Sequence, residues 1–149
     1  MDIDYYTPLI EDLCTTVGLP DAGHVLDTRS IEVEGFDVRL DHFDNDTGLY
    51  IVFEFGTVAP ERVLGVYRLM LEANLLVYAQ DQAQLGVDSD TGSSVLVVRA
   101  ELSQLNGEAL ADLLAHYAEH GRYWQQNILQ ATDEQYQAVA SGAFMWIRA

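Results

Sequence analysis

Hydrophobic positions along the chain follow two periods, one typical of helices and one typical of strands. Helical spacing occurs in three segments, residues 4–17, 59–78 and 107–129. Strand-like patterns occur in residues 30–43, 49–55, 84–88 and 93–102. The predicted order is α-β-β-β-α-β-β-α, followed by a C-terminal tail. Strands joined by short turns and followed by helices indicate the α+β class, an antiparallel sheet with helices packed on it.

The helix predicted over residues 59–78 is the most apolar of the three. Pro60 fits its first position, and good helix formers follow without a further proline. On a helical wheel Glu61, Arg68 and Glu72 share one narrow polar stripe, and apolar side chains fill well over half of the circumference. Such a helix must be covered on two sides. Either a second copy of the chain covers it, which predicts a homodimer, or the helix lies centrally within a monomer.

The first two predicted strands form a β-hairpin whose register can be read from the pattern. A tight turn at residues 34–35 pairs Val33 with Phe36 and Ile31 with Val38. The apolar faces of both strands then coincide, and the outward face is charged, as expected for a sheet that faces water on one side.

The length of 149 residues predicts a single domain over residues 1–149, with residues 131–149 as a C-terminal extension. A capping pattern at Thr132 predicts a short helix over residues 133–140. The end of the chain, residues 143–149, is unusually apolar, so it either docks on the body or forms a contact surface.

Acidic side chains dominate the charge. Asp and Glu number 24 against 7 Arg and no Lys, which gives a net charge of −17. This argues against nucleic acid and anionic membranes as partners and favours a basic or amphipathic polypeptide. The sequence shows no membrane span and no signal peptide, and the single Cys14 allows no internal disulfide. We therefore expect a cytoplasmic protein.

Two motifs suggest metal binding, and each has a simpler explanation. Residues 116–120 match the H-x-x-E-H pattern of one class of zinc peptidases, but a third ligand is missing, which favours a solvated helix face. Residues 44–48 and 88–92 read D-x-D-x-G like the start of a calcium loop, yet these residue types also suit hairpin turns. With no credible catalytic set, we interpret the chain as a binding protein and expect no enzymatic activity, no cofactor and no metal.

Four segments in a fixed order resemble one protein family. They are L-M-L-E-A-N-L-L (69–76), L-G-V-D-S-D-T-G (85–92), V-L-V-V-R-A-E-L (95–102) and L-A-D-L-L-A-H-Y-A-E-H-G-R-Y-W (110–124). Their order and spacing resemble the Tir chaperone (CesT-like) family, the class I chaperones of bacterial type III secretion. The resemblance covers about residues 5–129, and the C-terminal extension lies beyond the family's last common helix.

The resemblance implies a cytoplasmic homodimer without ATPase activity. Such a chaperone holds an N-proximal segment of a secreted effector in an extended, non-globular form. The implied dimer interface lies on the second predicted helix and the strand pair after it, with the candidates Val66, Leu69, Met70, Ala73, Leu76, Val95 and Val97. The implied effector surface lies on the first helix and hairpin, with the candidates Leu9, Leu13, Ile31, Val33, Val38 and Leu40. For each of these residues the alternative is plain core packing.

Two other functions stay open at this point. The same scaffold could serve a regulatory protein that sequesters a regulator of secretion. A metal-dependent hydrolase built on His116, Glu119 and His120 is the third possibility.

Overall fold

The computed structural model describes residues 4–129, and its elements follow the predicted order with one addition. The predicted helix over residues 133–140 and the apolar end at 143–149 lie outside the described residues. The elements are α1 (Tyr6–Val17), α2 (Ala22–Thr28), β1 (Ser30–Val33), β2 (Phe36–His42), β3 (Gly48–Gly56), α3 (Val63–Ala73), β4 (Ala83–Val87), β5 (Ser94–Glu101) and α4 (Gly107–Trp124).

The added element is the short helix α2, which the sequence pattern did not reveal. Its N-terminus is capped by Asp21, whose side chain accepts a hydrogen bond from the backbone N–H of His24 at 3.1 Å. The helix ends at Thr28, and its C-cap residue Arg29 adopts a left-handed conformation with φ of 54°. The helix has only 7 residues and buries one hydrophobic side chain, Val25, so it carries no measurable apolar period.

The strands form one antiparallel sheet in the order β1-β2-β3-β5-β4, and the predicted α+β class is confirmed. The predicted hairpin register is also confirmed, because Val33 pairs with Phe36 and Ile31 with Val38. The two turn residues at 34–35 both have positive φ, 49° and 89°, as a two-residue hairpin turn with the right twist requires.

Helices α1 and α4 pack on one face of the sheet and enclose the core. The Tyr6 hydroxyl on α1 donates to the carbonyl of Leu40 on β2 at 2.7 Å. The carboxylate of Asp12 on α1 accepts from the backbone N–H of Gly107 at 2.6 Å, so α1 helps to cap α4. A Cβ at Gly107 would lie 2.5 Å from the backbone oxygen of Asp12, and a Cβ at Gly121 would lie 2.6 Å from the Phe55 ring. Glycine is therefore what lets α4 approach this closely.

The segment predicted as one helix over residues 59–78 is helical throughout but changes pitch. It begins as a 3-10 turn over Pro60–Arg62, continues as α3, widens into a π-type turn over Asn74–Tyr78 and tightens again over Ala79–Asp81. The wide turn places the Asn74 side chain against the edge of the sheet at Leu85 on β4.

Candidate partner-binding surfaces

The structure separates the predicted dimer residues into two groups. Four of them on α3, namely Val66, Leu69, Met70 and Ala73, are buried within the chain's own core. Val66 and Ala73 have no exposed surface, whereas Leu69 and Met70 are each 5% exposed and Met70 also lines a surface groove. Of the others, Leu76 is exposed, and Val95 and Val97 are half-buried on the face of β5 opposite the core. The interface itself stays a prediction.

The surface that α3 leaves uncovered is a different set of leucines, which the sequence analysis did not select. Leu64, Leu71 and Leu75 are 87%, 71% and 78% exposed. Their spacing of 7 and then 4 residues aligns them along one side of the helical segment. We call these three residues the leucine stripe.

The leucine stripe was missed because it shares its side of the helix with charge. Arg68 and Glu72 lie between its members and form an exposed ion pair at 3.1 Å. The candidates implied by the family resemblance lie on the other side of the helix, where Val66, Met70 and Ala73 face the core. The sequence feature that could have predicted the leucine stripe is the presence of three leucines next to the polar stripe of the helix.

A shallow apolar groove continues the leucine stripe towards the sheet. It has a volume of about 240 Å³ and runs between α3 and β4, lined by Tyr67, Met70, Leu71, Leu85 and Val87 among others. Leu71 belongs to both the leucine stripe and the groove, so exposed apolar side chains of α3 adjoin an apolar groove, a feature that marks sites of protein–protein contact.

The predicted effector residues are also mostly core. Leu9, Leu13, Ile31, Val38 and Leu40 are buried, and Val33 is half-buried. Strand alternation correctly identified the apolar face of the hairpin, but α1 and α4 cover that face within the chain. A groove nevertheless lies on the surface of the predicted region.

A groove of about 450 Å³ lies beside β1, at the open edge of the sheet. The buried side chains of Val25 and Ile31 line its floor, and the exposed side chains of Leu19, Asp21 and Glu32 stand at its rim. We call it the β1 groove. Its combination of an apolar floor, acidic rim and adjacent strand edge suits an extended polypeptide.

The histidine pattern of α4 takes part in a buried hydrogen-bond network. Nδ1 of His120 lies 2.8 Å from the Tyr78 hydroxyl, and Nε1 of Trp124 donates to that hydroxyl at 3.0 Å. Burial, and then the neighbouring His116, lower the pKa of His120 to about 4, against the opposing effect of Asp81. Burial also raises the pKa of Tyr78 well above its usual range. The network ties the end of the α3 segment to α4.

Within residues 4–129, no group of three potential metal ligands comes together. The two D-x-D-x-G motifs serve as turns instead. The carboxylate of Asp46 accepts from the Gly48 N–H, the Tyr50 hydroxyl and Arg99, and these hydrogen bonds lower its pKa. The carboxylate of Asp88 accepts from the Asp90 N–H at 2.9 Å. Asp46 and Asp88 therefore fix loops, as hairpin chemistry requires.

Within residues 4–129, no helix is both long enough and apolar enough to cross a lipid bilayer.

A small α+β scaffold with an exposed leucine stripe and an open strand edge defines a class of polypeptide-binding proteins. The family assignment is more specific. The chain belongs to the Tir chaperone protein (CesT) family, whose model matches residues 9–125. No curated protein shows significant sequence similarity to it.

Solved structures share the fold at low sequence identity. A chain of the ExsC–ExsE complex aligns with a TM-score of 0.70 and 19% identity, covering 89% of this chain and 100% of that one. A chain of the HopA1–SchA chaperone–effector complex gives 0.63 and 16%, covering 83% and 98%. A chain of the ExoT–SpcS complex from Pseudomonas aeruginosa gives 0.55 and 18%, covering 80% and 98%. These similarities establish the fold.

Proposed function

We propose that this protein is a cytoplasmic chaperone of bacterial type III secretion that acts as a homodimer. It binds an N-proximal segment of a secreted effector and keeps that segment non-globular and competent for secretion. Membership of the Tir chaperone family carries the proposal. The leucine stripe and the β1 groove supply the surfaces that such a role needs.

The proposed dimer interface combines the leucine stripe with the outer face of the neighbouring strands. Leu64, Leu71 and Leu75 are the exposed anchors, and Leu76, Val95 and Val97 flank them. Burying an exposed leucine stabilises an assembly by about 2 kcal/mol. In a symmetric dimer each contact occurs twice, so three leucines per copy contribute about 12 kcal/mol, which is of the same order as the association cost of about 4–15 kcal/mol, and the flanking residues add to it.

The client would be held by binding alone, and we propose no enzymatic activity. An extended segment can place apolar side chains on the floor of the β1 groove and hydrogen-bond to a strand edge. The net charge of −17 keeps a protein with exposed leucines soluble and attracts basic segments.

The test is co-purification of the untagged protein from its native host, followed by mass spectrometry of bound chains. A secreted protein that binds through a segment near its N-terminus is expected. A variant with Leu19→Glu, at the exposed rim of the groove, should bind that client more weakly while keeping the wild-type mass. A transcription-linked partner would instead support the regulatory alternative, and no partner under secreting conditions would contradict both.

A further inference from the structure

Strand β4 lies at one edge of the sheet, where β5 is its only neighbouring strand among residues 4–129. In antiparallel pairing, alternate residues direct both peptide groups at the neighbouring strand, and the residues between them point away. The Asp88 N–H donates to the Ser93 carbonyl, and the Arg99 N–H donates to the Gln82 carbonyl. Even-numbered residues of β4 therefore face β5, and Leu85, at the centre of β4, directs its N–H and C=O towards the edge.

Both outward groups of Leu85 are bound by one side chain. The side-chain nitrogen of Asn74 donates to the Leu85 carbonyl at 3.1 Å, and its side-chain oxygen accepts from the Leu85 N–H at 2.6 Å. A carboxamide carries a donor and an acceptor in one plane, as a peptide group does. Asn74 therefore makes the two hydrogen bonds that a residue of a sixth strand would make.

The sequence of β4 offers no other protection for this edge. Edge strands are commonly kept from pairing by charged side chains or by proline. The five residues of β4 read A-Q-L-G-V and include neither, although the whole chain has a net charge of −17. At the opposite edge of the sheet, β1 carries the exposed Glu32. The contact with Asn74 is therefore what covers the centre of the β4 edge.

A second copy of the chain is the partner that this edge would fit if it were open. Two β4 strands related by a two-fold axis at Leu85 would pair antiparallel, with Ala83 of each copy opposite Val87 of the other. Charge would not oppose this pairing, because β4 carries none. Val87 is 41% exposed and would add apolar contact. The pairing would raise the mass above that of the wild type, whether the wild type is a monomer or a dimer.

We propose that Asn74 closes the β4 edge by standing in for a strand, and that this closure prevents a second copy of the chain from pairing there. Asn74 is a positioning residue, since it acts through the backbone of Leu85. The inference goes beyond the proposed function and does not depend on it, because it concerns only copies of this chain.

Amide hydrogen exchange, followed by NMR, measures whether the edge is closed. The reference is the amide of Leu96 on β5. Because the Leu102 N–H donates to the Thr47 carbonyl, even-numbered residues of β5 face β3, and the Leu96 N–H lies inside the sheet. An exchange rate that rises for Leu85 and not for Leu96 reports opening of the edge rather than loss of the fold.

All proteins in the exchange experiment carry Val87→Pro. The Val87 N–H also faces the edge, so proline there blocks pairing between copies and spares the bonds to β5. In this background Asn74→Ala and Asn74→Leu should each raise the Leu85 rate about tenfold or more relative to Leu96. Leucine branches at the same atom as asparagine but makes no hydrogen bond, so it separates bonding from packing. Asn74→Asp keeps the accepting oxygen and should retain most of the protection, as should the matched control Glu72→Ala on the exposed side of α3.

Light scattering over a concentration series tests whether an open edge pairs. The wild type and Glu72→Ala should have the same mass. Asn74→Ala should gain mass as its concentration rises, to about double the wild-type mass or more. Adding Val87→Pro to Asn74→Ala should restore the wild-type mass, whereas adding Val87→Ala, which keeps the N–H, should not.

The proposal is overturned if the Leu85 amide stays protected in Asn74→Leu, because packing would then close the edge. It is also overturned if Leu85 and Leu96 exchange faster together, because Asn74 would then only stabilise the fold. Larger species that persist in the presence of Val87→Pro would place the association elsewhere. An Asn74→Ala protein that keeps the wild-type mass up to millimolar concentration would show that the edge needs no closure.

Discussion

Truncation of Leu71 is the most direct test of the proposed dimer. Leu71 is 71% exposed and lies in the middle of the leucine stripe, at the mouth of the groove between α3 and β4. The change Leu71→Ala removes apolar surface from the proposed interface without opening a cavity in the core. It therefore separates loss of association from loss of folding.

The expected loss of dimer stability follows from the apolar surface that Leu71 would bury in the interface. Replacing a buried leucine by alanine costs about 2 kcal/mol of transfer free energy. A two-fold symmetric interface contains Leu71 twice, so the dimer loses about 4 kcal/mol. Each 1.4 kcal/mol is a factor of ten in the dissociation constant, and the predicted weakening is about a thousandfold.

Sedimentation velocity and light scattering over a concentration series measure the effect. One chain has a mass of 16.6 kDa, so the dimer is 2 × 16.6 = 33.2 kDa. The wild type should hold the dimer mass on dilution, and Leu71→Ala should fall towards 16.6 kDa in the micromolar range. Its circular dichroism should stay unchanged. Leu19→Ala, an exposed leucine on the loop between α1 and α2, is the matched control and should remain dimeric.

Two results would refute this reasoning. If Leu71→Ala dissociates no more than threefold more readily than the wild type, the leucine stripe is not the interface. If the wild type is a monomer at all concentrations, the net negative charge alone keeps a protein with exposed leucines in solution. The proposed homodimer would then be withdrawn.

Three further predictions concern the stability of the single chain, measured by urea unfolding. Gly121→Ala should lower the free energy of unfolding by about 1–3 kcal/mol, because the new Cβ would lie 2.6 Å from the Phe55 ring. A loss below about 0.5 kcal/mol would mean that the ring moves aside freely. Asn106→Ala should lower the free energy of unfolding by about 1 kcal/mol, because the Asn106 side chain accepts a hydrogen bond from the Ala109 N–H at the start of α4. Asn106→Gly should lower it less, and equal losses in the two variants would argue against a capping role. Acidification from pH 7.5 to 5.5 should cost roughly 1 kcal/mol through His120, whose pKa is lowered from 6.5 to about 4. The imidazole of His120 binds a proton at higher pH in the unfolded chain than in the folded chain, so the stability from His120 is lost as the pH falls below 6.5. His120→Asn should remove this part of the pH dependence.

The sequence predicted the elements best where local chemistry decides the outcome. The hairpin register follows from the turn at residues 34–35 and from side-chain alternation, both of which are local. The turn roles of Asp46 and Asp88 follow from residue type in the same way. Helix α2 escaped prediction because it is short and buries little, so its only signal was the cap at Asp21.

The predicted surfaces were harder to place, because burial depends on what packs against a face. The apolar centre of α3, including Val66 and Ala73, looked available for a partner and is instead covered by the rest of the chain. The two hydrogen bonds between the Asn74 side chain and the backbone of Leu85 depend on β5 lying between β3 and β4, which leaves β4 at an edge. No local pattern reveals that strand order.

The acidic charge connects the two proposed surfaces. A second copy that approached the β1 edge with its own β1 would bring Glu32 and Asp37 against the same two carboxylates, and this repulsion disfavours pairing between copies. The α3 side carries the Arg68–Glu72 pair, whose charges balance each other, with only the exposed Glu61 beside it, so copies can meet there with less repulsion. The same charges that exclude a second copy from β1 favour a basic strand. If charge sorts partners in this way, a nine-residue peptide that alternates valine with arginine should bind the wild type more tightly than its glutamate analogue. Glu32→Lys combined with Asp37→Lys should reverse that preference without changing the mass of the dimer. A preference that survives this reversal would show that apolar contacts in the β1 groove, rather than charge, select the client.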